Sequence, residues 1–140
     1  MFAVTGFLKR AGALISVAVV AASAWGTLPA RADDFPFGFE MTLETRPQPG
    51  TKRMPTLEIG DNGEATLDFW CKSGKGQFSV AGNTVVFVPG AMQEKACSPD
   101  RAAADDDVIA ALTEAANWKR QGDEVSFIGT KSVRFRINTN

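Results

Sequence analysis

The residues best suited to chemistry are two cysteines and a set of carboxylates, in a chain that contains no histidine. The lack of histidine excludes Ser-His-Asp and Cys-His catalysis and the usual histidine-ligated zinc sites. Two cysteines alone supply too few soft ligands for a structural zinc. The sequence also has no Walker-type loop and no Gly-x-Gly-x-x-Gly run. We therefore predict a protein that is not an enzyme and that carries no cofactor or metal.

The carboxylates are spaced unfavourably for acid–base catalysis or metal binding. Glu40 and Glu44 share one face of a predicted strand about 13 Å apart, whereas glycosidase pairs need roughly 5–9.5 Å. Asp105, Asp106 and Asp107 are consecutive, and neighbouring helical residues point about 100° apart, so the three do not converge on one ion. We interpret them as capping and solvating a helix start. An enzyme that uses carboxylates from different strands stays open as a minor alternative.

The first 32 residues have the three parts of a secretory signal peptide. The basic pair Lys9-Arg10 precedes an apolar stretch from Ala11 to Trp25, and Ala30-Arg31-Ala32 forms a cleavage site followed by two aspartates. The apolar run of about 15 residues is shorter than the roughly 20 that span a bilayer, which favours a signal peptide over a membrane anchor. We predict cleavage after Ala32 and a periplasmic or secreted protein without a stable membrane anchor.

The predicted mature chain is mildly acidic. Removing the first 32 residues leaves 108, with 12 basic and 16 acidic side chains, a net charge of −4 against −1 for the whole sequence. That length fits one domain with a modest core. The charge is unsuited to nucleic acid or an anionic membrane surface. Because neither cysteine lies near the cleavage site, we expect no lipid-modified cysteine.

Cys71 and Cys97 are predicted to form a disulfide, because an exported chain meets an oxidising compartment. The loop that they close would stabilise the domain by roughly 3.5 kcal/mol on the chain-entropy model. The alternative is a reactive thiol at Cys71, whose neighbours Lys72 and Lys75 would favour the thiolate.

Alternating apolar and polar residues predict a series of short strands separated by Gly, Pro and Asn turns. The segment 33–38 is expected to be a loose lead-in, 72–76 a glycine turn, and Asp61-Asn62-Gly63 a tight hairpin turn. The apolar run 84–88 indicates a strand buried on both faces. The predicted strands lie at 39–44, 57–59, 64–70, 78–80, 84–88, 93–97, 125–127 and 133–137.

One helix is predicted from the spacing of Val108, Ile109 and Leu112, and it ends near Ala116. Its start is open between the three aspartates and Ser98-Pro99. The pattern as a whole predicts a mainly β (α+β) fold, a small antiparallel barrel-like sheet of about eight strands with one helix inserted before the C-terminal hairpin. Closing the sheet removes exposed strand edges, and the helix would cover one open side.

Two groups of residues are candidates for binding. Large apolar residues near the predicted helix either pack it onto the sheet or line an apolar pocket. Two arginines alternate with apolar residues on the last strand and form either a solvated face or a contact for an anion or partner. The candidate ligand or partner contacts are Trp70, Leu112, Trp118, Arg134 and Arg136.

The order of these features resembles the META domain family, which includes the HslJ-like proteins. The resemblance covers roughly Gly38 to Ile137. This chain has Trp70-Cys71-Lys72 where the family has Gly-Cys-Asn. The features that carry it are a strand ending at Cys71, a glycine turn with Gly76 and Phe78, an apolar strand, Cys97, an acidic-headed helix, the run Gly122-Asp123-Glu124-Val125-Ser126-Phe127 and a closing Val-Arg-Phe strand.

The resemblance implies an envelope or secreted protein linked to stress tolerance, motility or secretion, with no established catalytic residues. Its fold is similar to that of small lipid-binding pilot proteins, although a fold does not carry function. We expect a signal peptide at 1–32, a lead-in at 33–38 and the domain at 39–140. Its partner would be an unknown envelope protein or an apolar small molecule held between helix and sheet. The alternative is a small secreted protease inhibitor of the one-disulfide β-barrel type, using Asp33 to Phe39 as a mobile inhibitory segment.

Overall fold

The structure, a computed structural model, describes Gly26 and residues 34–139. Apart from Gly26, the predicted signal peptide lies outside the described residues. Within them, no helix has the length and apolar character needed to cross a bilayer. The elements are β1 (Glu40–Leu43), β2 (Thr56–Ile59), β3 (Glu64–Asp68), β4 (Lys72–Ala81), β5 (Thr84–Glu94), α1 (Pro99–Glu114), β6 (Asn117–Gln121), β7 (Glu124–Ile128) and β8 (Val133–Ile137).

The eight strands form a closed antiparallel barrel in which each strand pairs with the next and β8 pairs with β1. The predicted mainly β fold, with one helix before the C-terminal strands, is therefore confirmed. The helix begins at Pro99, which occupies its first turn after Ser98. Of the two starts that the sequence left open, the structure has the earlier one, as suits a proline whose missing N–H is not needed there.

Three strand assignments were wrong although the number of strands was right. The glycine segment 72–76 belongs to β4, which stays paired with β5 across a register shift between Gly74 and Gly76. β5 runs on to Glu94, so 93–97 is not a separate strand. The missing strand is β6, which the pattern did not reveal because Trp118 is its one buried residue among polar neighbours.

The barrel interior is filled by alternating side chains of the strands. One face of each strand is buried and the other meets solvent, because the barrel wall is a single sheet. β5 is therefore not buried on both faces: Val86 and Val88 are 54% and 59% exposed. Inward-facing β8 residues Val133, Phe135 and Ile137 are buried, in agreement with the predicted alternation.

The segment before β1 is packed rather than loose. Phe35 is buried and meets Trp118 edge to face, with ring centroids 4.9 Å apart. The Gly38 N–H donates to the carbonyl of Ile59 at 2.7 Å. Phe39, expected to face the core, is 49% exposed, since the strand begins only at Glu40. Of these two phenylalanines, Phe35 is packed in the core, whereas the alternating pattern predicted a buried Phe39.

The seam between β5 and β6 is the shortest pairing in the barrel. Thr84 and Asn117 are its one pair of register partners, flanked by bonds from Val85 N–H to the Ala116 carbonyl and from Trp118 N–H to the Asn83 carbonyl. Beyond this point β5 pairs only with β4 in the described part of the chain, and α1 packs against β5. The helix therefore covers the side that the sheet leaves incomplete.

Gly63 gives a prediction about the tight turn between β2 and β3. It has φ +80°, and a Cβ there would overlap the Phe78 carbonyl. Gly122 also has a positive φ, but a Cβ there would meet nothing within 4 Å. We expect Gly122→Ala to destabilise by about 1 kcal/mol from φ alone, and Gly63→Ala by at least about 2 kcal/mol more. Urea unfolding measures both, and equal losses would contradict the overlap.

Candidate functional site

Asp105 is the one charged side chain that is fully buried within the described part of the chain. Because α1 begins at Pro99, Asp105 lies in the body of the helix and not in its first turn. The interpretation of the three aspartates as capping, solvated residues is thus wrong for Asp105. The capping part is also wrong for Asp106 and Asp107, which lie beyond the first turn, but both are exposed to solvent as expected.

The Asp105 carboxylate binds the corner between β3 and β4. It accepts backbone N–H groups from Trp70 at 3.2 Å, Cys71 at 2.6 Å and Lys72 at 2.9 Å. A buried carboxylate is tolerated only when its oxygens are hydrogen-bonded, and buried N–H groups need acceptors. Here the carboxylate accepts hydrogen bonds from the buried N–H groups, so both needs are satisfied. The helix and the corner are held together by charge-assisted hydrogen bonds.

The disulfide joins the same corner to the start of the helix. Cys71 and Cys97 are bonded, with Cα atoms 5.7 Å apart, as the sequence predicted. Neither cysteine is free, so the reactive-thiol alternative at Cys71 is wrong for this state of the protein. Cys71 therefore contacts the helix segment twice, through its sulfur and through the hydrogen bond from its N–H to Asp105.

An ion pair lies over this corner. The Lys72 ammonium binds the Asp106 carboxylate, and the Lys72 side chain is 19% exposed. The hydrogen bond that Lys72 donates to the Asp106 carboxylate raises the pKa of Lys72 above its usual 10.5. Burial lowers this pKa, and attraction to Glu94 and Asp105 raises it further. Lys72 therefore stays protonated at physiological pH, and its charge faces the same helix turn that Asp105 anchors.

The aromatic and aliphatic candidates are structural in this geometry. Trp70 is buried, and its indole N–H donates to the Arg53 carbonyl at 2.9 Å, which fixes the loop between β1 and β2. Leu112 and Trp118 are 0% and 2% exposed and belong to the common core. The Trp118 indole N–H donates to the Gly82 carbonyl at 2.8 Å. None of these three residues lines the surface groove described below.

The two arginines lie on the outer face of β8, as expected from the alternation. Arg136 forms an ion pair with Glu44, and Arg134 Nη1 lies 3.9 Å from Glu124 Oε1. A carboxylate just after β1 and one on β7 thus balance the two arginines on both sides. These pairs are largely solvent-exposed and contribute little to stability.

An open groove of about 610 Å³ lies where β1 begins and the chain leaves β8. Phe39 contributes a half-exposed ring, Arg136 a guanidinium, and Asn138 donates its amide to Glu40 Oε1 at 2.7 Å. Of the sequence candidates, only Arg136 lines it. The sequence did not indicate this groove because Phe39 fits the apolar phase of β1. Its lining residues are Gly38, Phe39, Glu40, Arg136, Ile137, Asn138 and Thr139.

The described residues contain no group of three or more cysteine or carboxylate ligands that could hold a metal ion. The groove offers an aromatic surface, one cation, one carboxylate and amide groups. Such a lining can bind an extended segment that presents an apolar side chain and hydrogen-bonding groups.

The three N–H bonds of Asp105 give a prediction for stability. Asp105→Asn puts an amide N–H group among donors and leaves at least one N–H without an acceptor, so we expect a loss of roughly 2–4 kcal/mol in unfolding free energy. Asp107→Asn, exposed on the same helix, should stay within about 0.5 kcal/mol of the parent. Urea unfolding with the disulfide intact measures both. Similar values for the two variants would contradict the anchoring role.

Comparison with known proteins agrees with this architecture. The family model for the META domain matches residues 40–138. No curated protein matches the chain significantly. A solved NMR structure has a similar fold, with a TM-score of 0.57 and 15% identity, over 71% of this chain and 88% of that one. At that identity the likeness concerns the fold alone. The family match covers the whole barrel and the helix, and this chain therefore belongs to the META domain family.

Proposed function

We propose that this protein is an exported, non-catalytic META domain that binds a partner in the cell envelope, in a stress-related or assembly role. Membership of the family and the signal-like N-terminal sequence support the compartment. The observation that carries the binding role is the groove beside Phe39, where an aromatic ring that is 49% exposed lies next to Arg136.

The residues of the interior favour binding at the surface over binding inside the protein. The fully buried Asp105 already accepts hydrogen bonds from three backbone N–H groups. These bonds give it a structural role, which does not favour substrate binding at this residue. An apolar ligand between helix and sheet would have to displace Leu112 or Trp118 from the core. Moving such a buried apolar side chain into water costs about 1.5–3 kcal/mol. We therefore favour a surface partner over an internal lipid.

The groove suits an extended segment of another protein. Phe39 supplies an apolar contact without needing any core residue to move, and large aromatic residues are common anchors at interfaces. Arg136 is held by Glu44 at the groove wall, so an acidic group of the partner would share or replace an existing ion pair. Glu40 and Asn138 add polar atoms that could hydrogen-bond the partner's backbone and fix its position along the groove.

The protease-inhibitor alternative needs the segment before β1 to enter a target's cleft. Phe35 is instead packed against Trp118 and Phe127, and Gly38 is hydrogen-bonded to Ile59. Inhibition would require that this packing be lost, which weakens this alternative. Titration of the protein against secreted metalloproteases addresses it directly, and an absence of inhibition at equimolar concentration would remove it.

A photo-crosslinking residue in place of Phe39, introduced in living cells, tests the proposed groove. We expect a crosslink to a distinct envelope protein, lost on Arg136→Glu because the partner's acidic group would then be repelled. The same probe in place of Lys119, exposed on β6, is the matched control and should give no such product. The proposal fails if position 39 gives no specific product or gives the same products as position 119.

A further inference from the structure

We propose that Cys97 is a site of thiol–disulfide exchange, at which a dithiol opens the disulfide to Cys71 while the barrel and most of α1 stay folded. The dithiol is that of a Cys-x-x-Cys oxidoreductase, the class of protein whose thiolate attacks disulfides. The site lies at the start of α1 and shares no residue with the groove beside Phe39. The inference is therefore independent of the proposed partner.

The two cysteines of the disulfide differ in access. Cys71 is 2% exposed and belongs to the buried core, whereas Cys97 is partly exposed. Cys97 lies in the short connection between β5 and α1, where its neighbours Ala96 and Ser98 are exposed. An attacking thiolate must reach the sulfur to which it bonds, so access decides which sulfur is attacked. Exchange therefore enters at Cys97, and Cys71 is the leaving group.

Opening the disulfide leaves α1 attached to the barrel through Asp105. The Asp105 carboxylate accepts the N–H groups of residues 70–72, and these hydrogen bonds do not depend on the sulfurs. Farther along the helix, Ala111 and Leu112 are buried in the common core. The strands of the barrel are paired around the whole sheet by backbone hydrogen bonds. We therefore expect the reduced protein to stay folded.

The part of the helix that depends on the disulfide is its first turn. Within the described residues, the Ser98 side chain makes no capping hydrogen bond. A single helical turn is unstable unless other contacts hold it. Arg101 lies in this turn and donates its Nη2 group to the Pro49 carbonyl. The first turn thus holds the tip of the loop between β1 and β2, and reduction should free both.

The other end of the same loop limits the change. The Arg53 carbonyl accepts the Trp70 indole N–H at 2.9 Å, and the Trp70 backbone N–H donates to Asp105. Neither hydrogen bond involves a sulfur. Opening the disulfide therefore loosens residues 96–101 and 48–51, and it leaves the corner between β3 and β4 in place.

The exchange is a two-electron reduction in two steps. The first thiolate of the dithiol bonds to the Cys97 sulfur, and the bond between Cys97 and Cys71 breaks. The electron pair of that bond goes to the Cys71 sulfur, which takes up a proton. The second thiol of the dithiol then loses its proton and bonds to the first, and Cys97 is released and protonated. The protein gains two electrons and two protons, and the dithiol becomes a disulfide.

A matched pair of variants, Cys71→Ala and Cys97→Ala, tests the difference in access. Each variant lacks the disulfide and keeps one thiol, whose reaction with 5,5′-dithiobis(2-nitrobenzoate) is followed by absorbance. In the folded state we expect Cys97 to react at least about tenfold faster than Cys71, because exposure controls thiol reactivity. In guanidinium the two thiols should react at similar rates. Thermal melts confirm that both variants fold.

A thioredoxin-type protein with Cys-x-x-Ser in place of Cys-x-x-Cys tests the exchange on the unaltered disulfide. Without its second thiol, this probe stops at the mixed disulfide, which acid quenching and alkylation preserve. Peptide mass mapping should place the probe on Cys97 and the alkyl group on Cys71.

Reduction by dithiothreitol tests the structural consequence. We expect Tm to fall by about 10–25 °C with a cooperative transition retained. Amide hydrogen exchange should become at least about tenfold faster within residues 48–51 and 96–101 and stay within about twofold at residues 70–72. Asp105→Asn should lose the helix when reduced, since neither connection then remains intact. Asp107→Asn, exposed on the same helix, is the matched control and should behave like the parent.

Several results would overturn the proposal. Equal reaction rates of the two thiols in the folded variants would do so, as would a mixed disulfide on Cys71 or the lack of any mixed disulfide. A reduced protein without a cooperative unfolding transition would show that the disulfide holds the whole fold. Faster hydrogen exchange throughout the barrel would contradict a local change.

Discussion

The helix of this protein is held in place by one buried carboxylate. Asp105 accepts the N–H groups of residues 70–72 at the corner between β3 and β4. This fixes the helix relative to the barrel, and the helix in turn covers β5 where β6 leaves it. The disulfide from Cys71 to Cys97 secures the same corner. A covalent and a charge-assisted connection therefore converge on a corner that otherwise has backbone donors without partners.

In this arrangement the buried residues have structural roles, and the proposed partner site lies on the surface. The buried aromatic and aliphatic residues fill the barrel, and Phe35 packs among them beside Trp118 and Phe127. The proposed partner site is a groove on the outside of the barrel, near Phe39. The META family match describes the fold, and a fold does not by itself determine what a protein binds.

The sequence predicted features that depend on local patterns. Alternation identified β8, and Asn62-Gly63 identified a turn whose glycine has φ +80°. The sequence-based prediction was wrong where contacts between distant residues determine the secondary structure. The polar residues of β6 pair because β7 lies beside them, and the glycines of β4 permit a bulge rather than a turn. The burial of Asp105 could not be inferred from its neighbours, since Asp106 and Asp107 are identical in type and exposed.

The candidate site was predicted only in part, for the same reason. Arg136 was identified because its strand alternates, but Phe39 has the right phase for the core and is exposed because β1 begins only at Glu40. The pairing of β1 with β8 has a further consequence for biosynthesis. Met41 lies opposite Ile137, so the barrel cannot close until β8 has been made. Pairing between residues so distant in the sequence slows folding. The growing chain therefore stays without a closed barrel while β8 is still being synthesised.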